Sequence, residues 1–145
     1  MAIGIFIKTF PLTGYPAESQ ILMKKIAEDF EKNQFSVTQY KGSYSILNDY
    51  GKTIVKILCT IGSNVTIGGT GVVVLFKAEH INNFRFEKIV NNYPSLDMRK
   101  VLYKVGAGKY EDFYLVKIES DDVYKSKSFD ILNLLKLLID INFYQ

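Results

Sequence analysis

The chain predicts an α+β fold, a mixed or mainly antiparallel sheet of about six strands with two to three helices packed on it. Three observations carry that expectation. The stretch from Thr53 to Phe76 is dense in β-branched residues and broken only by short glycine- and asparagine-containing segments, so it reads as consecutive strands at the centre of a sheet. Two further segments alternate in the same extended manner on either side of Gly106-Ala107-Gly108-Lys109, the form of a hairpin. Three other segments carry helical periodicity and are interspersed among these strands, which argues against a doubly wound parallel sheet.

Taken in order, Ile3 to Phe10 reads as a strand, with Ile3, Ile5 and Ile7 on one face. Pro11 to Pro16 is a loop, and Pro16 suits a first helical position because its missing N–H would have no helical partner there. From Pro16 to Asn33, Leu22, Ile26 and Phe30 recur every four residues, which predicts an amphipathic helix. Glu18 near its start and Lys32 near its end complement the helix dipole. Phe35 to Tyr40 alternates as a half-exposed strand, Gly42-Ser43 turns or bulges it, and Tyr44 to Leu47 continues it before an Asn48-Asp49-Tyr50-Gly51 turn.

In the central stretch Val55, Ile57, Cys59 and Ile61 share one strand face, and Gly62-Ser63-Asn64 reverses the chain. Gly68 to Gly71 then reads as a bulge or turn ahead of Val72 to Phe76. Asn82 or Asn83 can cap a second helix whose apolar residues are Phe86, Ile89, Val90 and Tyr93 and which Pro94 ends. Ser95 to Arg99 reads as a helical turn or a loop. The hairpin follows, Val101 to Val105 and Tyr110 to Ile118, then a charged linker from Glu119 to Lys127. A last helix opens at Ser128 or Asp130 and runs to about Asn142. Its apolar residues cover more than half its circumference, where a helix on one sheet needs only a stripe. Either both sides are buried within the monomer or one side meets another chain, and the second reading makes Leu134, Leu138 and Ile141 an oligomer interface.

The bulk composition bounds function more than it defines it. At 145 residues the chain is expected to form a single compact domain spanning residues 1–145. A net charge of +3 neither requires nor forbids an anionic partner. One cysteine excludes an internal disulfide framework and a cysteine-based zinc site. With no apolar run long enough to span a bilayer and no signal-peptide pattern at the N-terminus, the expected setting is cytoplasmic, with no membrane partner.

Motifs for chemistry are sparse. Gly68-Gly69-Thr70-Gly71 precedes strand-like residues rather than a helix, unlike a phosphate cradle. His80 is the only histidine and the one weak catalytic candidate, either beside Cys59 or as the base of a metal-independent nuclease with Lys77, a tyrosine or Arg85 as helper. Glu119, Asp121 and Asp122 lack the spacing of a calcium loop. No metal and no cofactor is indicated. Tyrosine and lysine are neighbours at several extended positions, which makes Tyr40, Tyr44, Lys100, Tyr103, Lys104, Lys109 and Tyr110 candidate contacts to a protein or to nucleic acid. Arginine occurs only at Arg85 and Arg99, and no RNA-binding signature is present. The favoured reading is a non-enzymatic protein–protein interaction module, of the kind of a small inhibitor or immunity-type binding protein or a viral or phage accessory or structural subunit. A single-stranded RNA- or DNA-binding module is the alternative.

Overall fold

A computed structural model describes residues 3–5, 17–40, 42–58, 72–92, 97–118 and 131–138. Its elements are β1 (Ile3–Ile5), α1 (Ala17–Lys32), β2 (Ser36–Tyr40), β3 (Ser43–Leu47), β4 (Thr53–Leu58), β5 (Val72–Lys77), a 3₁₀ turn (Ala78–His80), α2 (Asn83–Val90), β6 (Asp97–Gly106), β7 (Lys109–Ile118) and α3 (Ile131–Leu138). The strands form one sheet in the order β1-β6-β7-β5-β4-β3-β2. Six strands pair antiparallel, and β1 adds to the β6 edge in parallel. The fold is α+β, as the hairpin-rich element order predicts.

The helix over residues 17–32 turns Leu22, Met23, Ile26, Ala27 and Phe30 inward at helical spacing. Its end is a Schellman motif. The Phe35 N–H donates to the Phe30 carbonyl and the Gln34 N–H to the Glu31 carbonyl, each at 3.1 Å. Phe35 packs edge-on against Phe30 with centroids 5.5 Å apart, the apolar contact that accompanies this cap. Gln34 sits at φ 73°, the left-handed region where a Cβ is costly and glycine is the usual occupant. Gln34→Gly is therefore expected to stabilise the protein by about 1 kcal/mol, measured as a raised urea midpoint with an unchanged slope.

The β3–β4 turn is held by Asn48, whose Oδ1 accepts from the Tyr50 N–H at 2.9 Å and the Lys52 N–H at 3.0 Å. Gly51 within it has φ 77°, so the turn composition read from Asn48 to Gly51 has a backbone reason. The β6–β7 turn likewise places Gly108 at φ 69°. One reading needs correction. Asp97 to Lys100 is strand, paired with β7 from Lys117 to Tyr114, and not a helical turn or loop. Ladder pairing with a partner twelve or more residues away in the chain outweighed a local sequence of weak preference.

Strand β5 is buried at every residue from Val72 to Phe76, and β7 from Phe113 to Val116. Both faces of the sheet centre are therefore covered. On one face Val72, Val74, Phe76, Tyr114, Val116 and Ile118 join the inward residues of α1, α2 and α3 in a single core. On the other, Leu58, Val73, Leu75, Val101, Phe113 and Leu115 form a second buried cluster to which no described helix contributes. Continuous apolar runs in β5 and β7 are the sequence signature of strands buried on both faces. Cys59, Gly68 to Gly71 and the 119–127 linker lie outside the described residues.

Candidate functional site

Strands β6 and β7 are ten residues each, whereas β5 stops at Lys77, opposite Phe113. The hairpin therefore runs past its neighbour. The chain leaves β5 through the 3₁₀ turn, closed by the Ile81 N–H donating to the Ala78 carbonyl at 3.0 Å. It then enters α2 at Asn82, whose Oδ1 accepts from the Arg85 N–H at 3.0 Å as an N-cap. This path leaves two adjoining grooves over the hairpin. One, of about 480 Å³, is lined by Lys77, Glu79, Lys100, Tyr110, Glu111 and Tyr114, among others. The other, of about 580 Å³, lies between Phe86, Glu87 and Asn91 of the α2 side and Met98, Arg99 and Lys100 of β6.

Tyr114 and Lys100 are common to both grooves. The Tyr114 ring is buried against Phe86, with centroids 4.1 Å apart, and Lys100 Nζ lies 5.8 Å from the Tyr114 ring centroid. Burial raises the pKa of the Tyr114 hydroxyl, and Glu87 and Asp112 push it further. The phenol is thus held neutral, as a hydrogen-bonding group rather than a charge.

The rim of the first groove is a charged row. Lys77 Nζ lies 3.3 Å from Glu79 Oε1 and 3.5 Å from Glu111 Oε1. Lys56, on the neighbouring strand β4, has its amine pKa lowered by burial and by Lys77, against the opposing pull of Glu111. A lysine whose folded pKa is depressed contributes stability above its unfolded value of 10.5, and loses it as pH falls through the folded value. Lys56→Met, which keeps the apolar stem, is accordingly expected to gain most over wild type near neutral pH. That advantage should shrink as pH rises from the folded value toward 10.5, as read from urea unfolding of both proteins along the same pH series.

The residues nominated from sequence are only partly brought together. Lys100 and Tyr110 line the first groove, Tyr110 being 44% exposed, and Lys109 is exposed at the hairpin turn beside it. Tyr44 is not a surface contact. It is 8% exposed and belongs to the helix-covered core, because the pleat of β3 turns Tyr44 and Ile46 to the α1 side. Burial raises its hydroxyl pKa, with Glu28 and Glu31 of α1 adding to the effect. Tyr40 pairs with Ser43, Tyr103 with Glu111 and Lys104 with Tyr110. The side chains of Tyr40, Tyr103, Lys104 and His80 are outside the described structure, while the His80 backbone ends the 3₁₀ turn.

The oligomer-interface reading of the last helix also needs correction. Leu134 is 3% exposed and Leu138 0%, and both pack in the monomer core with Ile131 and Leu135. Ile141 lies outside the described residues. The surplus apolar character arises because α3 touches both α1 and α2 as well as lying over the sheet. What remains outside is Leu137, 55% exposed. On α2, Phe84 is 70% exposed, two residues before the buried Phe86 and so on the opposite side of the helix. Asn82 N–H donates to the Leu138 carbonyl at 2.8 Å, which joins the start of α2 to the end of α3 and brings the segments carrying Phe84 and Leu137 together. Sequence reasoning missed both. Their signal was an apolar residue lying off the buried stripe.

Among the described residues no three His, Cys, Asp or Glu side chains converge to hold a metal ion, and no helix is long and apolar enough to cross a membrane. Comparison with protein-family models, with curated proteins and with solved structures finds no match.

Proposed function

We propose that this protein is a protein-binding module that engages its partner through the outer side of the helical layer, centred on Phe84 and Leu137. The observation that supports this most is the exposure of a phenylalanine and a leucine on two helix segments tied by a backbone hydrogen bond. Fully burying such side chains is worth about 1.5–3 kcal/mol each, which is the scale of an interface anchor. Lys88 Nζ lies 5.8 Å from the Phe84 ring centroid and supplies a polar margin to the apolar centre.

The charge pattern favours a protein over a nucleic acid as the partner. Lysines at the hairpin grooves are interleaved with Glu79, Glu87, Glu111 and Asp112, and Lys77 is engaged by two carboxylates. A phosphate backbone calls for a continuous basic track. Arg99 and Lys100 fall opposite Leu115 and Tyr114 and so project from opposite faces of the sheet.

The test is affinity capture from cells of the source with wild-type bait and with a Phe84→Glu, Leu137→Glu bait of matched thermal stability. A partner retained by the first and lost by at least about tenfold with the second is expected, because two anchor positions are charged. Equal recovery on both baits sinks the proposal. A bound species that absorbs at 260 nm, is released by salt and is weakened by Lys100→Ala with Lys109→Ala would assign nucleic acid instead.

A further inference from the structure

Among the described residues β2 is the last strand of the sheet, and no described strand pairs with its outer edge. Ser36, Thr38 and Gln39 are exposed. An edge strand turns alternate N–H and C=O groups away from its single neighbour, and folded proteins ordinarily blunt such an edge with a charge, a proline, a bulge or a very short strand. None of these devices is present in β2. Ser36-Val37-Thr38-Gln39-Tyr40 has no charged residue and no proline, and its pairing with β3 runs without a register shift from Ser36 opposite Leu47 to Tyr40 opposite Ser43. The opposite edge, β1, is described over only three residues.

We infer that β2 is a docking edge for β2 of a second copy of this chain, paired antiparallel about a two-fold axis at Thr38, so that the sheet continues from one copy into the next. The sequence of the strand selects this occupant. Under that axis Thr38 faces Thr38 of the second copy, Val37 faces Gln39 and Ser36 faces Tyr40, so no like charges meet and the central pair is a threonine pair of the kind that stabilises antiparallel ladders. A two-fold contact needs only that one patch be complementary to itself, and this one is. Val37 is partly buried against the helix-covered core, and pairing extends that face across the junction. The inference rests on strand β2 and not on the helical layer, so it and the Phe84–Leu137 surface can each fail without the other.

The experiment is sedimentation equilibrium of the full chain from micromolar to millimolar concentration, with hydrogen exchange of β2 amides at both extremes. The expected result is a monomer–dimer equilibrium in which the outward β2 amides gain protection with concentration. Thr38→Lys places two ammonium groups together at the axis and should weaken association by at least about tenfold, with melting temperature unchanged at concentrations where the wild type is monomeric, because Thr38 is exposed there. Gln39→Lys supplies a second, independent variant. A wild type that stays monomeric throughout, or an assembly that persists in both variants, overturns the inference. Protection of β2 only when another protein is added would assign the edge to a foreign strand and overturn it equally.

Discussion

Leu138→Lys is expected to unfold the protein, while Leu137→Lys leaves it folded. The two positions are adjacent in sequence and differ in what surrounds them. Leu138 is fully buried in the core shared by α1, α2, α3 and the sheet, and its carbonyl also accepts the hydrogen bond from Asn82. Lysine there forfeits the leucine's transfer energy and must either strand a charge in apolar surroundings or give up its proton. The expected cost is above about 4 kcal/mol, against a total stability of about 5–15 kcal/mol for a domain of ordinary size. Leu137 is mostly in water, and its replacement should fall within about 0.5 kcal/mol of neutral. Circular dichroism and urea unfolding decide the matter directly. A Leu138→Lys protein that remains folded and merely loses an oligomer would return α3 to the role of an interface and place its leucines outside the monomer core.

This pair of leucines also shows where the sequence is legible and where it stops. Periodicity locates α1 and its inward residues because Leu22, Ile26 and Phe30 are separated from charged residues around the circumference. Turn chemistry locates the β3–β4 and β6–β7 turns because Gly51 and Gly108 occupy left-handed backbone that few other residues tolerate. In α3 the apolar residues outnumber any one stripe, so the pattern cannot say how many neighbours the helix has. Three-dimensional packing against two helices and a sheet supplies the answer. Tyr44 failed for a related reason. Tyrosine suits a surface and a core equally, and only the direction of the β3 pleat relative to α1 separates them. The hairpin grooves were half legible, since Lys100 and Tyr110 were nominated for their chemistry. Glu111 and Lys56 were not, because the register of β7 and β4 on either side of β5 brings them near Lys77 across large sequence separations.

Phe113→Ala is expected to cost about 3–5 kcal/mol and to lower the melting temperature by about 10 °C or more. Phe113 lies on the face of the sheet opposite the described helices, where a tyrosine- and lysine-bearing sheet would present its binding surface if that face were open. It is instead 2% exposed, in register with Val101 on β6 and Lys77 on β5, and clustered with Leu58, Val73, Leu75 and Leu115. Removing its ring leaves a cavity between strands that hydrogen bonds already hold at fixed spacing, so the site can collapse only partly. Phe84→Ala provides the matched comparison. It deletes the same ring from a position 70% exposed and should change stability by less than about 1 kcal/mol. If Phe113→Ala proves as mild as Phe84→Ala, the second cluster is not a core, and the sheet face becomes a surface available to a partner. A large difference between them makes that cluster part of the folded core and removes it as a surface for a partner.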